Sequence, residues 1–204
     1  MNLLASIPYI KSKTSKQVLS PLWSDRDQIL NENVNLYCWE RTLAPAVHEY
    51  VSNILSSDAK PIQLSLSKAD MSHQLENVKI NWDQHSTSNS QAFWEDITGL
   101  VSDFLDFSDT QRGTMHLKII DNNACAKFHT DGYPLRLLTT YIGQGTEWLP
   151  EDSVNRSSLG TSNDQIVKNT TKIQRMKQGD VGILKGELPG NKKKKFRGIV
   201  HRSP

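Results

Sequence analysis

The residue pattern points to an α+β fold whose second half is a jelly-roll-like β core, with N-terminal helices packed outside it. Two helix-length segments before residue 107 repeat their apolar residues at three- and four-residue spacing. After Gly113 the apolar residues come instead in short runs, separated by Asn, Asp and Gly, as strands and turns require. The 204 residues suffice for one domain with a sizeable core, and no repeat or Gly/Ser linker divides them.

Residues 1–33 are polar and interrupted by Pro8 and Pro21, so they read as an N-terminal arm over the body, with a single domain from 34 to 204. The segment 42–57 places Leu43, Val47, Tyr50, Val51, Ile54 and Leu55 on one helical face, with Thr42 as N-cap and Pro45 in the first turn. Ile62, Leu64 and Leu66 alternate with polar neighbours as in a half-buried strand. A second helix over 90–107 carries Phe93, Ile97, Leu100, Val101, Phe104 and Leu105, and its Trp94 reads as core. The β-rich core, 113–204, contains TMHLKII, AKFHTDG, LRLLTTYIG and TEWLP, then a polar insertion loop over 151–171, then MKQGDVGILKG and FRGIVHRSP. The two helices would cover the outside of this sheet.

Charge excludes some partner classes. With 24 Lys+Arg against 22 Asp+Glu there is no global field to draw nucleic acid or a membrane surface. Lys192 to Lys195 read as a solvated hairpin tip that protects a sheet edge; without interleaved aromatics, nucleic-acid binding is not expected. No apolar run approaches the roughly 20 residues of a membrane span. The opening MNLLASIPYI lacks the basic flank and long apolar stretch of a secretory signal, and two cysteines make no disulfide framework, which together read as cytoplasmic.

The chemistry-bearing stretch is AKFHTDGYPLRLLTTYIGQGTEWLP, residues 126–150. On an extended strand His129 and Asp131 project to the same side, and His201, near the end of another predicted strand, could swing opposite them in a rolled-up sheet. Two imidazoles and a carboxylate on one face of a cation leave positions open, the arrangement of non-haem Fe(II) oxygenases; zinc accepts the same ligand set. Cys125, four residues before His129, offers a Cys/His alternative that would favour zinc.

The order MHLKIIDNNACAKFHTD, LRLLTTYIGQGTEWLP, MKQGDVGILKG, HRSP resembles the strand order of the iron and 2-oxoglutarate-dependent oxygenases, nearest their prolyl-hydroxylase-like branch. More specifically, FHTD, LRLLTTY, GTEWLP, LKGE and HRSP resemble an uncharacterised bacterial domain-of-unknown-function family (DUF1826-like), over roughly residues 34–204. The likeness implies a double-stranded β-helix (jelly-roll or cupin-like) core, with His129, Asp131 and His201 as metal ligands. The oxygenases carry, on a strand after the distal histidine, a basic residue that grips the far carboxylate of 2-oxoglutarate; here no such strand follows His201.

Arg136 is the preferred substitute, because GYP offers a turn that resets its face and its fork suits a carboxylate. Lys185 is the reserve, and Arg202 is discounted because a neighbour of His201 points away from it. Tyr141 and Thr139 offer hydroxyls to a bound keto acid, while Glu147 receives no acid–base role. The expectation is thus an Fe(II)- and 2-oxoglutarate-dependent oxygenase acting on a small-molecule or protein substrate. The alternatives are a zinc-binding protein of metal homeostasis, or a degenerate β-barrel that binds without catalysis.

Overall fold

In the computed structural model, which describes residues 14–57, 59–83, 90–120, 125–188 and 197–204, the centre is a four-stranded sheet. Its strands are β1 (Lys16–Ser20), β2 (Val34–Trp39), β5 (Leu135–Thr139) and β8 (Val181–Lys185), in the order β1-β2-β8-β5. β1 runs parallel to β2, and β8 is antiparallel to both β2 and β5. The first 33 residues therefore supply more than an overlying arm: a sheet strand and a 3-10 helix, Trp23–Leu30, lie within them.

Strand alternation splits this sheet's side chains between two cores. Leu36, Cys38, Leu138 and Leu184 face Trp148 of a second sheet and Met176 and Ile199, which flank its strands. Tyr37, Leu135, Leu137 and Ile183 face the opposite way, onto Ile29, Trp23, Phe104 and Phe107. The second sheet has three strands, β6 (Glu147–Leu149), β7 (Gln174–Arg175) and β9 (Val200–Arg202), ordered β7-β6-β9. Its outer face, carrying Leu149 and Val200, is covered by Phe128 and by Val154 and Ile166 of the polar insertion. That insertion is not a bare loop; it holds 3-10 turns, the short helix α4 (Asn163–Ile166) and a Val154–Val167 bridge.

A helical layer precedes these sheets. α1 (Pro45–Leu55) and α3 (Gln91–Phe107) lie within the two segments read as helical, but α1 is capped at Ala44 with Pro45 at its first position, not at Thr42. A further helix, α2 (Met71–Trp82), has no counterpart in the sequence reading, because only Met71, Leu75 and Trp82 are buried along it and a stripe this thin is a weak periodic signal. β3 (Ile62–Ser67) and β4 (Arg112–Leu117) pair antiparallel into a two-stranded sheet that packs on these helices. The run TMHLKII thus joins the helical layer instead of the β core.

The architecture is α+β with several sheets, and no closed barrel forms among the described residues. The lysine run 192–195 lies outside the described residues.

One buried charge holds the second sheet together. Glu147 on β6 stands opposite Arg175 of β7 and Arg202 of β9. Its Oε1 accepts from Arg175, and its Oε2 accepts from Arg202 Nε at 2.7 Å. Burial pushes this carboxyl up, but the arginine hydrogen bonds outweigh it and the net shift is downward from 4.5. A depressed folded pKa means that the contribution is complete above about pH 4.5 and fades as the pH falls through the lower folded value. Glu147→Gln is therefore expected to lower stability at pH 7 and to flatten the acid limb of stability against pH, read by urea unfolding between pH 7 and pH 3.

Candidate metal centre

His129 and His201 meet because their backbones pair. His129 N–H donates to His201 C=O at 3.0 Å and His201 N–H donates to His129 C=O at 2.9 Å, the reciprocal pattern of an antiparallel hydrogen-bonded pair. Among the described residues only this single bridge forms around His129, so AKFHTDG supplies one ladder rung rather than a full strand. Phe128 turns outward into the apolar layer under the insertion, so His129 turns the other way. On β9 Val200 faces that same outer layer, while His201, opposite Trp148, is 4% exposed.

Asp131 completes the group from the turn that follows. Its carbonyl accepts from Glu187 N–H at 2.7 Å, and Gly186 N–H donates to Pro134 C=O at 3.3 Å, so the residues after β8 clasp the turn of residues 131–134. Gly186 is required by contact: a Cβ there would stand 2.2 Å from the Tyr133 carbonyl oxygen and 2.5 Å from that of Asp131.

Ligand atoms of His129, Asp131 and His201 all lie within 4.8 Å of one another. Asp131 Oδ1 is 3.9 Å from His129 Nε2, and Oδ2 is 3.6 Å from His201 Nε2. Metal bonds of about 2.1 Å put neighbouring ligand atoms roughly 3.0 Å apart in an octahedron and roughly 3.4 Å in a tetrahedron, so small side-chain rotations suffice to close the set.

The protonation chemistry also fits. His129 Nδ1 lies 2.8 Å from the Lys127 carbonyl, which can only accept, so this contact selects the Nδ1–H tautomer of the neutral ring, the one that offers Nε2 to a metal. Burial pushes His201 down to about 4, against the opposing pull of Asp131, which leaves a neutral imidazole at neutral pH. Asp131 is 6% exposed, and its Oδ2 is buried without a hydrogen-bond partner. Such an atom costs free energy unless a cation or donor reaches it.

Arg136 is the one cofactor-binding candidate brought to the triad. The bend of residues 132–134 resets its face, so that on β5 it shares parity with inward-facing Leu138 and stands opposite Leu184. Its Nε is 3.2 Å from Asp131 Oδ2, within ion-pair range but not aligned for a hydrogen bond, and its guanidinium lies over the Tyr133 ring at 5.7 Å.

The other candidates lie elsewhere. Thr139 and Lys185 have the opposite strand parity, and they bond the carbonyls of Gly179 at 3.5 Å and Asn31 at 2.7 Å. Tyr141 is drawn into the helical layer, where its hydroxyl donates to Asp96 at 2.6 Å. Burial and then Asp96 hold that hydroxyl protonated, well above the ordinary tyrosine range. Arg41 grips the same Asp96 through both terminal nitrogens and reaches the Gly179 carbonyl at 2.7 Å. This ties the Gly179–Asp180 turn, with Gly179 at φ 89°, to the helices. Cys125 is exposed and Arg202 is spent on Glu147, so neither joins the ligand group.

Two open grooves, of about 690 and 450 Å³, are lined by Arg41, Leu43 and Lys177 and by Leu75, Trp94 and Glu95, away from the triad. Neither holds a converging set of ligand atoms, and the triad is the better candidate because its chemistry, not its hollow, marks it.

Sequence reasoning missed the supports of this centre: Glu187, Gly186 and the arginines that bind Glu187. The LKGE motif carried the signal, since a glycine between a strand and an acid marks a close backbone approach. Gly186→Ala is expected to cost about 1–3 kcal/mol of stability through overpacking and to displace the Asp131 carbonyl, read by thermal unfolding and by the amide exchange rate of Glu187.

No curated protein and no solved structure matches this chain. The family described as "Protein of unknown function (DUF1826)" matches residues 23–204, a span that contains the triad, its supporting glycine and acid, the second sheet and every strand of the central sheet except β1, and the chain belongs to that family.

Proposed function

We propose that this chain is a metal-dependent protein of the Fe(II)- and 2-oxoglutarate-dependent oxygenase type, with His129, Asp131 and His201 as ligands on a scaffold akin to the double-stranded β-helix. The observation that carries the reading is the buried Asp131 carboxylate, whose Oδ2 accepts no hydrogen bond, lies in ion-pair range of Arg136 and stands 3.6 Å from the Nε2 of His201. Iron(II) in such a three-residue site supplies open positions for dioxygen and a 2-oxo acid.

The chain's own groups have separable tasks in this reading. The Lys127 carbonyl orients His129, and burial keeps His201 neutral. Trp148, 5% exposed and directly opposite His201, shields the inner side from water. The His129 side chain, 36% exposed, marks the side from which small molecules reach the centre. Arg136, 40% exposed, brings a planar cation to the same space and is the group to meet a keto acid's carboxylate.

A second reading is a zinc protein without redox chemistry. It is favoured by the engagement of Thr139, Tyr141 and Lys185 elsewhere, which leaves Arg136 as the single remaining candidate of the four for the keto acid.

Metal analysis of protein purified without added metal, followed by anaerobic titration with Fe(II) and then 2-oxoglutarate, tests both. A weak visible charge-transfer band on adding the keto acid supports the oxygenase reading. Stoichiometric zinc without that band supports the second. His129→Ala is expected to weaken metal binding by more than about 100-fold, since even outer partners of ligands are worth about 10–100-fold. Unchanged binding in that variant would sink both readings.

A further inference from the structure

The second half of the chain contains a buried charge network outside the triad. Arg156, in the polar insertion, is 13% exposed and spends its whole fork. Nε donates to Glu151 Oε1 at 2.6 Å, Nη2 to Glu151 Oε2 at 2.5 Å and to the Gly198 carbonyl at 2.7 Å, and Nη1 to Glu187 Oε1 at 2.7 Å. Glu187 also accepts from Arg197 Nε at 2.9 Å, from Arg197 Nη2 at 2.5 Å and from Gly198 N–H at 3.1 Å. Two arginines and two glutamates neutralise one another with most of their surface withdrawn from water, a condition under which removal of one partner leaves an uncompensated charge.

The position of this network matters more than its energy. Glu187 N–H donates to the Asp131 carbonyl, while its carboxylate holds Gly198, three residues before His201. Ile199 N–H then bonds the Lys185 carbonyl at 2.9 Å, and His201 pairs with His129. One residue therefore ties the segment of the carboxylate ligand, through its backbone N–H, to the segment of the distal imidazole, through its carboxylate, and Arg156 ties that carboxylate and the Gly198 carbonyl to the insertion.

We infer that Arg156 and Glu187 are a positioning pair for the metal centre, through which the insertion sets the spacing of Asp131 and His201. The inference rests on the metal-centre reading above for its effect on affinity, but not for its effect on the backbone. The pair touches none of the ligand atoms; it acts on the segments that carry them. Metal sites lose affinity when such outer partners go, because the ligands then sample geometries that do not converge.

The test compares Arg156→Gln, Arg156→Lys, Glu187→Gln and the double variant Arg156→Gln/Glu187→Gln with Ile54→Ala, which opens a cavity in the helical layer, where Ile54 is 5% exposed. Co(II) affinity and the Co(II) visible spectrum report on the centre. Amide exchange at His129 and His201, in protein without metal, reports on the clasp. Arg156→Gln and Glu187→Gln are each expected to weaken Co(II) about 10–100-fold, with the double variant no worse than the poorer single. Arg156→Lys, which keeps the charge and loses the fork, shifts in the same direction by less. Ile54→Ala lowers the melting temperature and leaves affinity within twofold. In the metal-free protein, Arg156→Gln accelerates exchange of the two histidine amides and Ile54→Ala does not.

The inference is overturned if Arg156→Gln and Arg156→Lys resemble Ile54→Ala, with a lower melting temperature, unchanged affinity and unchanged histidine exchange. If the wild-type chain binds no Co(II), the metal reading fails, and the exchange experiment alone decides whether the pair holds the two segments.

Discussion

The reciprocal hydrogen bonds between His129 and His201 are the constraint on which the rest of the candidate centre depends. They join segments 72 residues apart in the chain, each of which is short and weak as secondary structure: one is a lone bridge and the other a three-residue strand. Neither would hold an imidazole in place alone. Antiparallel pairing puts the two side chains on one side of the ladder, with ring centroids 4.6 Å apart, and the turn after His129 brings the carboxylate up to both.

Such a short ladder needs support from every side, and the layers provide it. Inward, Trp148 and Ile199 pack against Leu36, Leu138 and Leu184 of the central sheet. Outward, Phe128 and Val200 are covered by Val154 and Ile166 of the insertion. Along the strands, Glu147 binds β6 to β7 and β9, and beyond the ladder Glu187 binds the Asp131 turn to Gly198. The carboxylates of Glu147 and Glu187 are hydrogen-bonded to arginines, whereas Asp131 Oδ2 has an arginine within range but no aligned donor. An exception of this kind inside an otherwise satisfied shell is what distinguishes a candidate ligand from a structural carboxylate.

The helices around residues 45–55 and 91–107 were legible because each buries a broad face. β5, β6 and β8 were legible as short apolar runs bounded by turn residues. α2 was not, since its buried residues are few, and β1 was not, since an edge strand with a mixed burial pattern carries no clean alternation. The run at 114–120 was recognised as a strand, but its partner was not: β4 pairs with β3, a choice made by the helices packed on both. The open, layered arrangement of the described sheets likewise follows from which faces found apolar cover.

The candidate centre divides along the same line. The sequence singled out His129, Asp131 and His201 as residues of ligand chemistry through their types and spacing taken together with the order of motifs around them, since the His-x-Asp spacing alone is a weak signal. It was also enough to nominate Arg136, whose change of face depends on the neighbouring bend. It could not separate Arg136 from Thr139, Tyr141 and Lys185, because that choice depends on which side of the central sheet faces the second sheet and which faces the helices. Nor could it find Arg156 and Glu187, whose role depends on hydrogen bonds across 31 residues of chain. Residue type and spacing specify what a side chain can do; long-range packing specifies what it meets, since burial and charge pairing depend on the whole chain at once.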